Sequence, residues 1–263
     1  MRRSSLFWGV ILLLLGLLML GDASGLRLPG GARPMEFFWP VLLILIGAWI
    51  LLGALARPRV VSENGSVDLQ GANEAELRID HGAGELRISG GAEPGKLAAG
   101  TFSGGMEQSA QMEGSRLVAR MRPPQPTFMV MPQFERHDWD VRLSNSVPMA
   151  ITLHTGANNA VVDLGGMRIT GLRVETGASQ TEVSLPAEGR FRADFSLGAA
   201  SLRVSVPQGM AARVRVSHGV SDVKVDQVRF PRTGDVYQSP DFDSAANAVD
   251  LKIDAGAAEI RVQ

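Results

Sequence analysis

ITLHTGANNAVVD (151–163), LRVETGASQTEVS (172–184), ADFSLGAASLRVS (193–205) and VRVSHGVSDVKVD (214–226) are four readings of one pattern. Gly156, Gly177, Gly198 and Gly219 stand 21 residues apart. Around each glycine an apolar residue recurs at −5, −3, +4 and +6; Thr181 is the one weak member. LRIDHGAGELRIS (77–89, on Gly82) and LKIDAGAAEIRVQ (251–263, on Gly256) repeat the template outside the strict period. Apolar residues two apart with charged or hydroxyl residues between them describe strands with one buried face. The glycine between two such strands fits a tight change of direction, where freedom at positive φ is useful. Units at a fixed period stack, each burying its face against the next. The expected fold is an all-β repeat domain, a single-stranded β-solenoid, with a β-sandwich as the alternative because short, regularly spaced strands also mark that class.

Outward from the repeat the pattern weakens. Residues 94–121 are glycine-rich with blurred alternation and read as one irregular coil. In PPQPTFMVMPQFERHDWD (123–140) the alternation stops, and Phe128, Met129, Val130 and Met131 either cover an end of the core or meet a partner. The final strand, 259–262, runs almost to the last residue with no polar cap. It is expected to be an unpaired edge and the place for homo-oligomer contact.

The other end of the chain is of a different kind. SSLFWGVILLLLGLLML (4–20) and FFWPVLLILIGAWILLGALA (37–56) are uncharged and predict two membrane helices of roughly 25 and 30 Å. The first run could instead be a cleaved signal peptide after Arg2 and Arg3, although no clear small-residue cleavage site follows it. Residues 1–56 then form a helical hairpin in the lipid bilayer, 57–75 a linker, and 76–263 the β domain. FWGVILLLLG (7–16) is echoed by FWPVLLILIG (38–47), which sets Phe-Trp at an interface and offers Gly16 and Gly47 for close packing. Two spans put the N-terminus and the β domain on one side. Arg2, Arg3, Arg57 and Arg59 sit directly beside the helices and tilt that side toward the cytoplasm over the extracytoplasmic alternative, while Arg27 and Arg33 lie between the helices.

Composition narrows the chemistry. Among 263 residues there is no cysteine, so disulfides, thiolate metal sites and thiol nucleophiles are excluded. A net charge of −1 gives no basic field for nucleic acid. His81, His154 and His218 lie beside unit glycines but show no H-x-H or HExxH spacing, and read as solvent-facing turn residues rather than metal ligands. Asp163, Glu182, Asp194, Asp222, Asp226 and Asp250 alternate with apolar residues as a wet strand face requires. A glycosidase pair among them would want stacking aromatics that the repeat lacks. No catalytic, cofactor or metal residues are assigned, and no enzyme is expected.

The FWGVILLLLG and FWPVLLILIG hairpin resembles the LiaI/LiaF-like transmembrane region, and the strand–glycine–strand units resemble the toastrack, adhesin-like β domain that follows such regions. The resemblance implies a non-enzymatic bacterial envelope protein of stress sensing, whose partner is a membrane sensor kinase or another membrane protein. LiaF-type proteins usually have more than two spans, a departure that bears on the kinase-restraining role more than on the fold. A self-assembling structural or adhesive module is the other class, and a carbohydrate-active enzyme a distant third.

Overall fold

The structure, a computed structural model, describes residues 2–25, 38–55, 62–124 and 137–263. It divides into a helical unit and a β unit.

The helical unit contains α1 (Arg2–Ala23) and α2 (Phe38–Leu55). Helix α1 closes where Ser24 N–H donates to Leu20 O and its hydroxyl to Gly21 O, with Gly25 beyond it at φ +73°, a left-handed stop that glycine adopts without strain. Pro40 occupies the first turn of α2, where no intrahelical N–H bond is lost. Leu12, Leu13, Leu17 and Leu20 on α1 and Leu43 and Ile44 on α2 are exposed apolar side chains. Among the described residues no helix is long and apolar enough to cross a membrane; several side chains of both helices, including those of the second half of α2, lie outside the description. Among the described residues a Cβ built on Gly16 or Gly47 would meet nothing within 4 Å, so the close packing expected at these glycines is not seen there. Arg27, Arg33, Arg57 and Arg59 lie outside the described residues, as does the apolar run 128–131.

The β unit begins with β1 (Ser62–Asp68), inside the stretch assigned above to a linker, and continues with β2 (Glu74–Gly90), β3 (Lys96–Ser103), β4 (Glu107–Glu113), β5 (Arg116–Arg122) and β6 (Trp139–Leu143). There follow β7 (Met149–Asp163), β8 (Ile169–Ser184), β9 (Arg190–Ser205), β10 (Ala211–Val225), the short β11 (Arg232–Thr233) and β12 (Val236–Gln238), and β13 (Ala248–Val262). The six template units are β2, β7, β8, β9, β10 and β13. Each is one long strand that turns over at its glycine. Leu77 and Ile79 before Gly82, and Leu86 and Ile88 after it, are all buried in one core. Since 77 and 86 differ by an odd number, an uninterrupted strand would put them on opposite faces. The reversal at glycine brings both arms onto the same core.

These strands stack parallel and in register in the order β2-β7-β8-β9-β13-β10. The 21-residue period is therefore one coil of a β-solenoid-like stack. Its return turns repeat as well, burying Leu164, Leu185 and Val206 at equivalent points. The order contains a correction. The C-terminal strand is no edge: β13 lies between β9 and β10 and is hydrogen-bonded to both. An inserted rung of identical pattern fits because every rung presents the same apolar side chains to its neighbours.

Residues 94–121 do not form a coil. Strand β3 runs antiparallel between β1 and β6, and β4 and β5 make an antiparallel hairpin whose second strand adds to the first arm of β2. Strand β6 covers the second arm of β2. Trp139 closes this end of the core, edge-on to Phe102 (ring centroids 5.1 Å apart) and to His81 (5.4 Å).

Candidate functional site

The six unit glycines form a ladder, Gly82-Gly156-Gly177-Gly198-Gly256-Gly219. None of them has positive φ, so conformational freedom is not why glycine is there. The reason is proximity. A Cβ on Gly156 would stand 2.8 Å from the carbonyl oxygen of Gly82, on Gly198 2.8 Å from that of Gly177, and on Gly219 2.8 Å from that of Gly256. Gly82, first on the ladder, has nothing within 4 Å. The next position in register is Ala83, Ala157, Ala178, Ala199, Ala257 and, on the last rung, Val220.

An open furrow of about 1050 Å³ follows this ladder across all six rungs. Its walls carry Asp80, His154, Glu175 and Asp254. At the β2 end Asp80, His154 and Glu175 join a network, while Asp254, on β13, pairs with Lys252 at 2.7 Å. Arg120 Nε donates to Asp80 at 2.6 Å and Arg78 Nε at 3.0 Å; His154 lies 3.7 Å from both Asp80 and Glu175. Burial pushes the Asp80 carboxyl up, but the hydrogen bonds and charges of Arg120 and Arg78 outweigh it and hold the group below its ordinary range. Among the described residues no three His, Asp or Glu side chains are grouped to hold a metal ion. What the furrow offers is exposed backbone beside small side chains, with mixed charge concentrated at one end.

The three histidines part company. His218 is exposed and His154 half-buried. His81 is not the solvent-facing turn residue expected from its position: it is 4% exposed. Its Nε2–H donates to His137 O at 2.7 Å, because a carbonyl can only accept, and this fixes the neutral tautomer with Nδ1 unprotonated. Burial pushes its pKa down. Two rungs along the same register, through Thr155 on β7 to Thr176 on β8, the inner corner is polar, with Thr176 Oγ1 donating to Ser179 Oγ at 2.5 Å and Ser179 lying 3.2 Å from Thr181. The sequence carried a signal for this corner, since hydroxyl and amide residues interrupt the apolar face at −1 and +2, as in Thr155, Asn158, Thr176 and Ser179.

The acidic residues read above as a wet face are engaged locally. Glu182 pairs with Arg203 at 2.9 Å, Asp194 with Arg192 at 2.8 Å, Asp250 with Arg215 at 2.7 Å and Asp222 with Lys224 at 2.7 Å. Asp163 and Asp226 accept backbone N–H groups in the turns that follow their strands.

Comparison with known proteins fits this geometry. The model of the N-terminal domain of toast_rack (DUF2154) matches residues 56–205, more than half of the chain. The chain belongs to the toastrack family. The LiaI-LiaF-like transmembrane region matches residues 6–51, so the toastrack domain is joined to a membrane-anchoring region and the chain is a membrane-associated envelope protein. Neither model describes a catalytic domain. A solved structure, a candidate cell adhesion protein from Clostridium sporogenes ATCC 15579, is 21% identical with a TM-score of 0.68, covering 77% of this chain and 99% of its own; it shares the fold. A candidate adhesin from Bacteroides fragilis NCTC 9343 is 8% identical over 77% of this chain and 97% of its own, with a TM-score of 0.29, too distant to inform the fold. No curated protein matches.

Two groups with depressed pKa values, His81 and Asp80, predict how the toastrack domain responds to acid. His81 has its folded pKa depressed, so its contribution to stability is present above its ordinary value of about 6.5 and is lost as pH falls through the lower folded value. Asp80, also depressed, contributes above about 3.9 and loses that contribution only in stronger acid. Thermal unfolding followed from pH 7.5 downward is expected to show the melting temperature starting to fall below about 6.5, well before carboxylates titrate. The His81→Gln variant should lack the first limb and keep the second; an unchanged profile would remove His81 from the account.

Proposed function

We propose that this chain is a LiaF-like regulator of cell-envelope stress signalling, a non-enzymatic protein whose toastrack domain is a docking module for a membrane sensor kinase or a similar membrane protein. The observation that carries the reading is the succession of the two family matches in one chain, a LiaI-LiaF-like transmembrane region followed by a toastrack domain. In this reading the anchor crosses the membrane twice and the domain lies on the cytoplasmic side. Arg2 and Arg3 before the first apolar run, and Arg57 and Arg59 after the second, support that side. Deletion of the protein is expected to change transcription from an envelope-stress promoter without any inducing agent. The domain is expected to resist protease in intact cells and be digested in inside-out vesicles.

A second reading, a structural or adhesive module, is favoured by one feature, the outer edge of the second arm of β10 at the end of the stack, where β13 is the one strand partner among the described residues. It predicts the opposite accessibility: digestion from outside in intact cells would sink the cytoplasmic regulator and favour the module.

A further inference from the structure

The parallel stack ends at β10, and its two arms end differently. On the first arm, β12 pairs antiparallel with Arg213, Val214 and Arg215. Along Ser217–Val225, β13 is the one strand partner among the described residues. This arm is unlike the other strand edges. Strand β4, EQSAQME, is almost wholly exposed and polar, and β1, SENGSVD, is mostly so. On β10, Val223 and Val225 are partly buried members of the core, and Val220 is 85% exposed.

The backbone defines what can pair there. Asp226 N–H donates to Val262 O on β13. Peptide groups alternate sides along a strand, so Asp222 and Lys224 also face β13, and Ser221, Val223 and Val225 direct their N–H and C=O outward. An antiparallel partner must set outward-facing residues opposite one another. A second copy related by a two-fold axis through Val223 does this, pairing Val223 with Val223, Ser221 with Val225, and Asp222 with Lys224.

That register is also complementary in side chains. Asp222 meets Lys224 of the other copy on the solvent face, and Lys224 meets Asp222, so two opposite-charge pairs form across the seam. On the inner face Val223 meets Val223 at the centre, with Ser221, whose hydroxyl accepts from Ala258 N–H, opposite Val225 on either side. The contact is isologous and closes after two copies, and the far end of the stack is already covered by β5 and β6.

We infer that the protein dimerises through the second arm of β10, two copies joining antiparallel about Val223 into one continuous sheet. The C-terminal strand, which the sequence pointed to as the contact, lies one rung inside.

The natural absence of cysteine gives a clean background for the test. In membranes containing the full-length chain, Val223→Cys is expected to form a covalent dimer on mild oxidation, because an opposed hydrogen-bonded pair has Cα atoms about 5.5 Å apart, within disulfide range. Glu259→Cys, exposed on the neighbouring rung, should not. In purified full-length protein, Asp222→Lys or Lys224→Asp sets like charges opposite each other twice and should weaken the dimer roughly tenfold. The double exchange Asp222→Lys/Lys224→Asp should restore it. Both positions are exposed, so the variants should melt like the parent; a monomer that still melts normally has lost the contact and not the fold. Failure of Val223→Cys to cross-link, equal cross-linking by Glu259→Cys, a dimer indifferent to single charge reversal, or no rescue by the exchange would each overturn the proposal.

Discussion

Gly198→Ala is expected to lower the melting temperature of the β domain by about 5–10 °C, and Gly82→Ala to leave it within a degree or two. The difference comes from the ladder. On Gly198 the new methyl would stand 2.8 Å from the Gly177 carbonyl oxygen, and that atom is backbone, held in register by the β8–β9 pairing. No side-chain rotation can relieve the contact, so the rungs must separate locally, at a cost of about 2–3 kcal/mol. For a domain of this size each kcal/mol moves the midpoint by roughly 2–4 °C. Gly82 has open space and ordinary φ, so alanine there loses nothing and slightly restricts the unfolded chain. Circular dichroism of the two variants decides the matter. Equal melting would show that the ladder glycines serve the bend and not the approach.

Deletion of residues 248–263 is expected to abolish the cooperative transition of the domain. If the C-terminal strand were an edge, losing it would shorten the stack and leave the remainder folded. As β13 lies between β9 and β10, the deletion removes a middle rung and strips both neighbours of their ladder. Val249, Leu251, Ile253, Ile260 and Val262 are at most 1% exposed. At about 1.5–3 kcal/mol for each buried side chain, their loss is comparable with the 5–15 kcal/mol that holds a typical domain folded. Ile253→Ala gives a graded version, costing about 2–5 kcal/mol, whereas Val223→Ala on the half-covered last rung should cost less than about 1 kcal/mol. A truncated protein that still melts cooperatively near the parental temperature would refute the interior placement.

How much was legible beforehand differs from residue to residue. Leu77, Ile79, Leu86 and Ile88 announce themselves by spacing, because burial on one face of a strand needs only a local period. The six glycines were equally visible, but their reason was not. Positive φ is a property of one residue, whereas the approach of Gly156 to the Gly82 carbonyl joins residues 74 positions apart. The burial of His81 is hidden from the sequence for the same cause: Trp139 and the backbone of His137, which cover it, come from the far end of the 123–140 insertion. The furrow was hidden until the rungs were stacked, since Asp80, His154 and Glu175 belong to three different strands.

The amino-acid sequence by itself determined the two-part layout, the strand arms, the 21-residue coil and the absence of thiol chemistry, all of which follow from composition and local periodicity. Only the tertiary structure decided the order of the rungs, and with it which strand is the edge. Six units of one pattern present nearly the same face to any neighbour, so the pattern cannot say which lies beside which. The chain after Val225 runs through the β11–β12 hairpin before its last strand inserts beside β9. That path buries the C-terminal strand and leaves the second arm of β10, with Val223 at its centre, at the end of the stack.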